Sequence, residues 1–330
     1  MKTPTKFNRR HWLRLGLGVA TGSMAGLSAI GKATDPDTCE TTPALELGPF
    51  PPMKSRSQLD HDVDLTQVTG QSGTAKGELL EVSGRILDDD CKPVEGAIVE
   101  TWQANHFGKY NHEFNTKGEH DPNFQGWGQA ITNAEGRFSF KTVVPGLYAS
   151  RARHIHYKVS KRGYHEMVTQ LYFDGEERNK TDGIYNDLTH EEQKQVTRTI
   201  DRSSALAKMD FDIHIRQAKP GKVTEKVLQS YTGKYKLDCT GGIERLVNEL
   251  YGKEFTSMII EITNRGETLY MTMPITPTME VIWKAKDTFD ANAFYNMSLV
   301  FKRGADEKVN RLVLAWDEQN SFEAVRTASL

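Results

Sequence analysis

Cysteine is scarce in this chain. Its 330 residues hold three, Cys39, Cys91 and Cys239, with no CxxC pair and no Cys/His zinc spacing. A thiolate zinc site is therefore excluded. In an oxidising compartment three thiols allow one bridge and leave one over, and the spacing does not choose the pair. Long apolar runs are missing too. The run 15–30 is Gly-rich and short of the about 20 residues a membrane span needs. Charge of one sign is not in excess either, with a formal net charge of −2. No internal repeat or low-complexity tract occurs. What remains is ordinary for a globular protein with a real core: 37% hydrophobic, 9% aromatic and 26% charged residues.

Residues 1–33 read as a targeting segment. Arg9-Arg10-His11-Trp12-Leu13-Arg14 is a twin-arginine pattern, followed by the modestly apolar run and by Gly31-Lys32-Ala33, small residues where a signal peptidase would cut. The expectation is export by the Tat route to a periplasmic or extracellular destination. The segment carries six Lys and Arg and no acid, so its removal takes the charge from −2 to −8. An acidic mature chain is a poor partner for nucleic acid or an anionic membrane.

Residues 34–77 are rich in Pro, Thr and Asp and weakly periodic. Leu47-Gly48-Pro49-Phe50-Pro51-Pro52 is extended and Pro-stiffened, an arm lying on a domain. From residue 78 the pattern turns to β. Alternating runs at 80–87, 94–103, 137–142, 154–160, 168–173 and 209–216 are separated by Gly, Pro and Asp turns. The fold class predicted is all-β, with an antiparallel β-sandwich over 78–220. One helix is expected: Thr189-His190-Glu191-Glu192 forms a capping box opening 191–200. After a linker near 217–222 comes a smaller β-rich domain, 221–330, with candidate strands at 234–237, 257–263, 268–273, 279–285, 293–302 and 309–315.

The chemistry concentrates in 145–156, where a phenol, two imidazoles and two guanidiniums share one turn and strand. His154 and His156 lie at i and i+2, leave the same face of a strand and can reach one metal ion while Ile155 turns inward. With Tyr148, and Tyr110 from another loop, they make a hard N/O donor set. It lacks the thiolate of copper(I) sites and the carboxylates of calcium sites. A free phenol has a pKa of about 10, so a strongly Lewis-acidic ion is needed to hold phenolate at neutral pH, and iron(III) is the natural choice. No Asp or Glu stands at a fixed offset from the HxH, as the iron(II) facial triad would require. Spacing alone is unspecific. An HxH arises by chance on strands, and a Tyr after Pro-Gly commonly packs on a sheet.

The surrounding text is more specific. In order along the chain stand Gly84-Arg85-Ile86-Leu87-Asp88, Pro93-Val94-Glu95-Gly96-Ala97, Val99-Glu100-Thr101-Trp102-Gln103-Ala104-Asn105, Gly108-Lys109-Tyr110, Thr132-Asn133-Ala134-Glu135-Gly136-Arg137-Phe138, Pro145-Gly146-Leu147-Tyr148, Arg151 three before His154-Ile155-His156, and Thr169-Gln170-Leu171-Tyr172-Phe173. This resembles the intradiol ring-cleavage dioxygenases, the catechol and protocatechuate family, over roughly 78–216, with Gly48-Pro49-Phe50 matching the family's amino-terminal segment. The resemblance implies that Tyr110, Tyr148, His154 and His156 hold Fe(3+), that Tyr148 is the ligand released when a catechol chelates, that Arg151 sits over the substrate ring, and that Gln170 pairs with it. The implied substrates are a catechol and O2. The amino-terminal helical dimerisation domain of the catechol 1,2-type branch has no counterpart here, and the oligomeric state stays open, a homo-oligomer included. Asn133, where aspartate is common, is expected to be structural, as is Arg153.

Other residues carry weaker signals. His106, His112 and His120 lie near Tyr110 and could line a pocket, but the expectation is solvated loop residues; His165 and His214 have no motif, and Trp127 and Tyr164 either pack or shape a cavity. Region 221–330 lies outside the resemblance and looks like the small β domains appended to some secreted β-lactamase-like serine hydrolases, without a catalytic cluster. The alternative to an enzyme is a non-catalytic secreted β-sandwich binding module. It gives no reason for the Tyr, Tyr, His, His, Arg and Gln set to stand together. A zinc hydrolase built on the HxH lacks a third ligand and a base at matching spacing.

Overall fold

Burial along Leu79–Leu87 (β1) alternates as far as Ile86, with Leu80, Val82 and Ile86 inward and Glu81, Ser83 and Arg85 outward. Such alternation specifies a strand with one face on a core. The protein is described by a computed structural model covering residues 39–51, 60, 62–112, 115, 118–218, 223–239, 256–274, 276–291, 297–315 and 321–327. The expected targeting segment lies outside these residues.

The strands that follow are β2 (Ile98–Trp102), β3 (Trp127–Ile131), β4 (Arg137–Val143), β5 (His154–Ser160), β6 (Met167–Phe173), β7 (Thr197–Arg198), β8 (Ala207–Asp210) and β9 (Ile213–His214). One sheet has the order β4-β1-β8, with β9 also on β1, and the other has the order β3-β2-β5-β6-β7. Between them lies a core that includes Val82, Ile86, Phe138, Phe140, Ile155, Tyr157, Leu171 and Phe211. This is the β-sandwich that the alternation predicts; β1–β4, β2–β3, β2–β5 and β5–β6 pair antiparallel as expected, whereas β8 and β9 on β1, and β7 on β6, pair in parallel. The short strand β3 was not among the expected runs. It is placed by its antiparallel register on β2, with Trp127 opposite Trp102.

Two short helices, α1 (Gly183–Asn186) and α2 (His190–Val196), cross between β6 and β7. Both halves of the Thr189–Glu192 capping box form at the start of α2. The helix stops at Val196, short of residue 200, because Thr197 and Arg198 pair with Tyr172 and Phe173. Sheet pairing there overrides local helical preference. Asn133 is structural: its side chain accepts from the backbone of Glu135 and Arg137 and shapes the turn into β4.

The arm lies on the sandwich through residues just before the Pro-rich stretch. Thr42 pairs with His214, Leu45 N donates to Val168 O at 2.8 Å, and Gln170 Nε2 donates to Glu46 O at 2.7 Å. A Cys39–Cys91 disulfide pins its start to the turn after β1, and Cys239 is buried and free.

Beyond α3 (Glu225–Gln229), strands β10 (Gly233–Asp238), β11 (Ser257–Arg265), β12 (Thr268–Met273), β13 (Thr276–Ala285), β14 (Thr288–Ala291), β15 (Ser298–Arg303), β16 (Val309–Ala315) and β17 (Ser321–Arg326) close an antiparallel barrel in chain order, β17 returning to β10. Strands β14 and β17 were not expected, and the first part of the expected 293–302 run falls outside the described residues. Inward residues such as Tyr235, Ile260, Met271, Phe289, Phe301 and Leu312 are buried, as in eight-stranded barrels filled by their own side chains.

Candidate metal centre

Strand β5 is buried on both faces. Ile155, Tyr157 and Val159 enter the sandwich core, so His154, His156 and Lys158 face the other way. His154 Nε2 lies 3.1 Å from His156 Nε2, and the Tyr110 hydroxyl lies 3.0 Å from the first and 3.2 Å from the second. Three donor atoms this close together could all reach one shared ion. His154 Nδ1 stands 2.7 Å from Ala152 O. That carbonyl accepts the Nδ1 proton and leaves the Nε2 lone pair for an ion. The His156 ring stacks on Trp102, with centroids 4.9 Å apart and planes at 5°.

Burial first, and then the Arg151 charge, hold both imidazoles well below the usual histidine range, and His154 adds to the effect on His156. Burial pushes the Tyr110 phenol up, with Arg151 opposing. Neutral imidazoles are what a metal ion requires. A buried phenol becomes phenolate only if a strong positive charge arrives beside it. Among the described residues no three His, Cys, Asp or Glu side chains converge. The donor set is thus N/O with phenol, and it fits iron(III).

The loop carrying Tyr110 interlocks with the one carrying Tyr148. Asn105 Oδ1 accepts from Phe107 N and Lys109 N, and Asn105 O accepts from both Gly108 N and Gly146 N. Gly108 has φ 79°, and a Cβ there would collide with Leu147 O, so glycine is required. Tyr148 is half-buried. Its ring stands edge-on to Tyr110 at 5.3 Å and to Phe50 at 5.7 Å. The triangle holds three of the four expected donors, and the ring of the fourth, Tyr148, packs against Tyr110.

Arg151 and Gln170 stand beside them. Arg151 Nη2 donates to Gln170 Oε1 at 2.7 Å and to the Tyr172 hydroxyl at 2.8 Å, and that hydroxyl donates to Gln170 Oε1 at 2.8 Å. Gln170 and Tyr172 are the cross-strand partners of His156 and His154. Arg153 leaves this group. It pairs with Glu176 and donates to Pro145 O.

Several site residues were not legible in the sequence. Asp182 accepts from Arg151 Nε at 2.8 Å across 31 positions of chain, an offset no pattern marks. Trp102 and Tyr172 were visible only as parts of quoted motifs. His112 corrects an expectation: it is buried and packs on Phe50 at 5.2 Å, whereas His106 and His120 are exposed. His165 belongs to the contact with the barrel, where its Nδ1 lies 3.0 Å from Glu280 Oε1.

A family model described as Dioxygenase matches residues 51–217. The protocatechuate 3,4-dioxygenase beta chain of Burkholderia cepacia is 42% identical over 130 residues, 36% of this chain and 53% of that protein. Catechol 1,2-dioxygenase 2 of Acinetobacter lwoffii is 34% identical over 122 residues, 32% of this chain and 43% of that protein. The chain thus spans about half the length of these curated relatives. Among solved structures, the dioxygenase domain of a dioxygenase carbohydrate-binding protein fusion from Streptomyces sp. SirexAA-E shows 31% identity and a TM-score of 0.42, covering 54% of this chain and all of that one. The matched segment takes in half of the sequence and every residue of the triangle and the arginine cluster, and the chain belongs to the intradiol ring-cleavage dioxygenase family.

Proposed function

We propose that this protein is an exported, iron(III)-dependent intradiol dioxygenase that opens a catechol between its two hydroxylated carbons. The carrying observation is the triangle of Tyr110 and the two Nε2 atoms, with sides of 3.0–3.2 Å. Tyr110, His154 and His156 would hold the ion, with Tyr148 as fourth donor. When bound, iron(III) supplies Lewis acidity that lowers the pKa values of the two catechol hydroxyls and readies the ring for O2.

The chain's own residues do the rest. Tyr148 would be the donor released when a catechol binds, and its phenolic oxygen would then take up a substrate proton. Arg151 presents a fixed positive charge to the ring as negative charge builds there. Gln170 is held between Arg151 and the arm carbonyl of Glu46, and so keeps its amide oriented. Trp102, Phe50 and the arm exclude water. In the net reaction one ring carbon–carbon bond breaks, both atoms of O2 enter the product, and a cis,cis-muconate-type diacid forms with no outside reductant.

Export is supported by the twin-arginine segment and by the Cys39–Cys91 pair, which suits an oxidising compartment. The test is reconstitution with iron(III) and oxygen uptake on a panel of catechols. The expected protein is red-brown from tyrosinate-to-iron charge transfer, and Tyr148→Phe shifts or weakens the band. A colourless protein, or one that retains zinc and consumes no O2, would sink the reading.

A further inference from the structure

Asp182 has no exposed side-chain surface, and its two oxygens do different work. Oδ1 accepts from Ile184 N and Tyr185 N and caps α1. Oδ2 accepts from Arg151 Nε at 2.8 Å and from Ala152 N at 2.8 Å. A cap requires only a side-chain oxygen, and serine or asparagine serves as well as aspartate. The charge at this buried position is therefore explained by Arg151, whose side chain is 17% exposed while its counter-ion is sealed.

The contacts fix the guanidinium completely. Asp182 holds the Nε edge, and Gln170 with Tyr172 holds Nη2. Nη1 is the donor outside this set. Because Gln170 and Tyr172 lie opposite His156 and His154 in the sheet, the guanidinium plane is indexed to the two imidazoles. Ala152 is held by the same carboxylate oxygen, and its carbonyl faces His154 Nδ1 at 2.7 Å. One carboxylate thus sets both Arg151 and the backbone that orients the first imidazole.

We infer that Asp182 is the positioning residue for Arg151: it locks the guanidinium plane and leaves Nη1 to meet the substrate ring. This rests on the dioxygenase reading above. Asparagine at 182 keeps the cap oxygen but turns a donor toward Arg151 and removes the charge.

The experiment is a double-mutant cycle of Asp182→Asn and Arg151→Ala on the iron-loaded full chain with catechol, with iron content and thermal midpoint recorded for each variant. Asp182→Asn is expected to lower kcat/KM by roughly 10- to 100-fold, more in kcat than in KM, and to have little further effect in the Arg151→Ala background. An equal loss in both backgrounds, or a folded Asp182→Asn protein within about twofold of wild type, overturns the inference. If Asp182→Asn does not fold, Asp182→Ser keeps a capping oxygen and takes its place in the cycle. A readout independent of turnover is the Arg151 Nε–H resonance of the protein loaded with diamagnetic gallium(III) in place of iron, expected to be protected from solvent exchange in wild type and lost in Asp182→Asn. Its absence from the wild type overturns the inference. Its presence in a wild type without turnover sinks the functional reading alone.

Discussion

A side chain at Gly48 would place its Cβ 3.0 Å from His156 Cε1 and 3.3 Å from Nε2, and the backbone there has φ 73°. The arm therefore reaches the imidazole only because residue 48 is glycine. Gly48→Ala is expected to push the arm off His156 and to cost about 1 kcal/mol or more of stability from the left-handed backbone alone. It should also lower iron occupancy. Urea denaturation and metal analysis check both, and unchanged iron content would show that the arm does not support the site. At this scale the sequence was most legible where chemistry follows a short period. His154 and His156 share a face because strands alternate, and the capping box announced itself within four residues. Asp182 and Glu280 were illegible because each acts across a long stretch of chain on a partner chosen by the fold.

Elements show the same division. Strands β1, β5 and β6 alternate or pack with long apolar residues and were readable. β3 and β14 are short, and β3 has Gly128 inside it, so their pairing comes from neighbours and not from their own composition. The arm is an element held by chain topology. Its disulfide closes a loop of 52 positions, for which chain entropy gives a stabilisation of about 4 kcal/mol as an upper figure. Replacing Cys39 and Cys91 with serine is expected to lower the unfolding free energy by roughly 2–4 kcal/mol and to speed proteolytic cleavage within the arm. Equal cleavage rates in both proteins would refute the tether.

The barrel end offers a pH-dependent case. Asp287 is held below the usual carboxylate range, first by hydrogen bonds from Arg303, against partial burial, with Tyr231 also donating. A depressed carboxylate pKa contributes stability above its unfolded value of about 3.9, lost as pH falls through the lower folded value. Arg303→Met is therefore expected to destabilise by about 1 kcal/mol at pH 7, with the gap to wild type closing as the pH falls below the unfolded value and through the lower folded one. A gap independent of pH would show that packing, not charge, is lost.

At the scale of the whole molecule the sandwich and the barrel share an apolar cluster that runs from Leu47, Phe50, Trp102 and Tyr110 to Tyr235, Met271 and Phe289. Lys158, two residues beyond His156 on the same strand face, donates to Thr278 O at 3.2 Å. Glu280 and Glu166 bond reciprocally, each carboxylate accepting the other's backbone N–H at 2.7 and 2.9 Å. The barrel is thus docked on the face that carries the imidazoles. Glu280→Ala leaves buried donors without their acceptor and is expected to cost about 1–3 kcal/mol. The urea midpoint measures it, and an unchanged midpoint would mean that the apolar cluster alone holds the two parts together. The docking was not visible in the sequence, which reads simply as a linker followed by a second β region.

The measurement that bears most directly on the proposed chemistry is the product formed from catechol under isotopically labelled O2. Mass spectrometry of the acidified product should show a muconate-type diacid carrying both labelled oxygens, one in each new carboxyl group. A ring-opened semialdehyde, a product with a single label, or no product from the iron-loaded protein would contradict intradiol cleavage at Tyr110, His154 and His156.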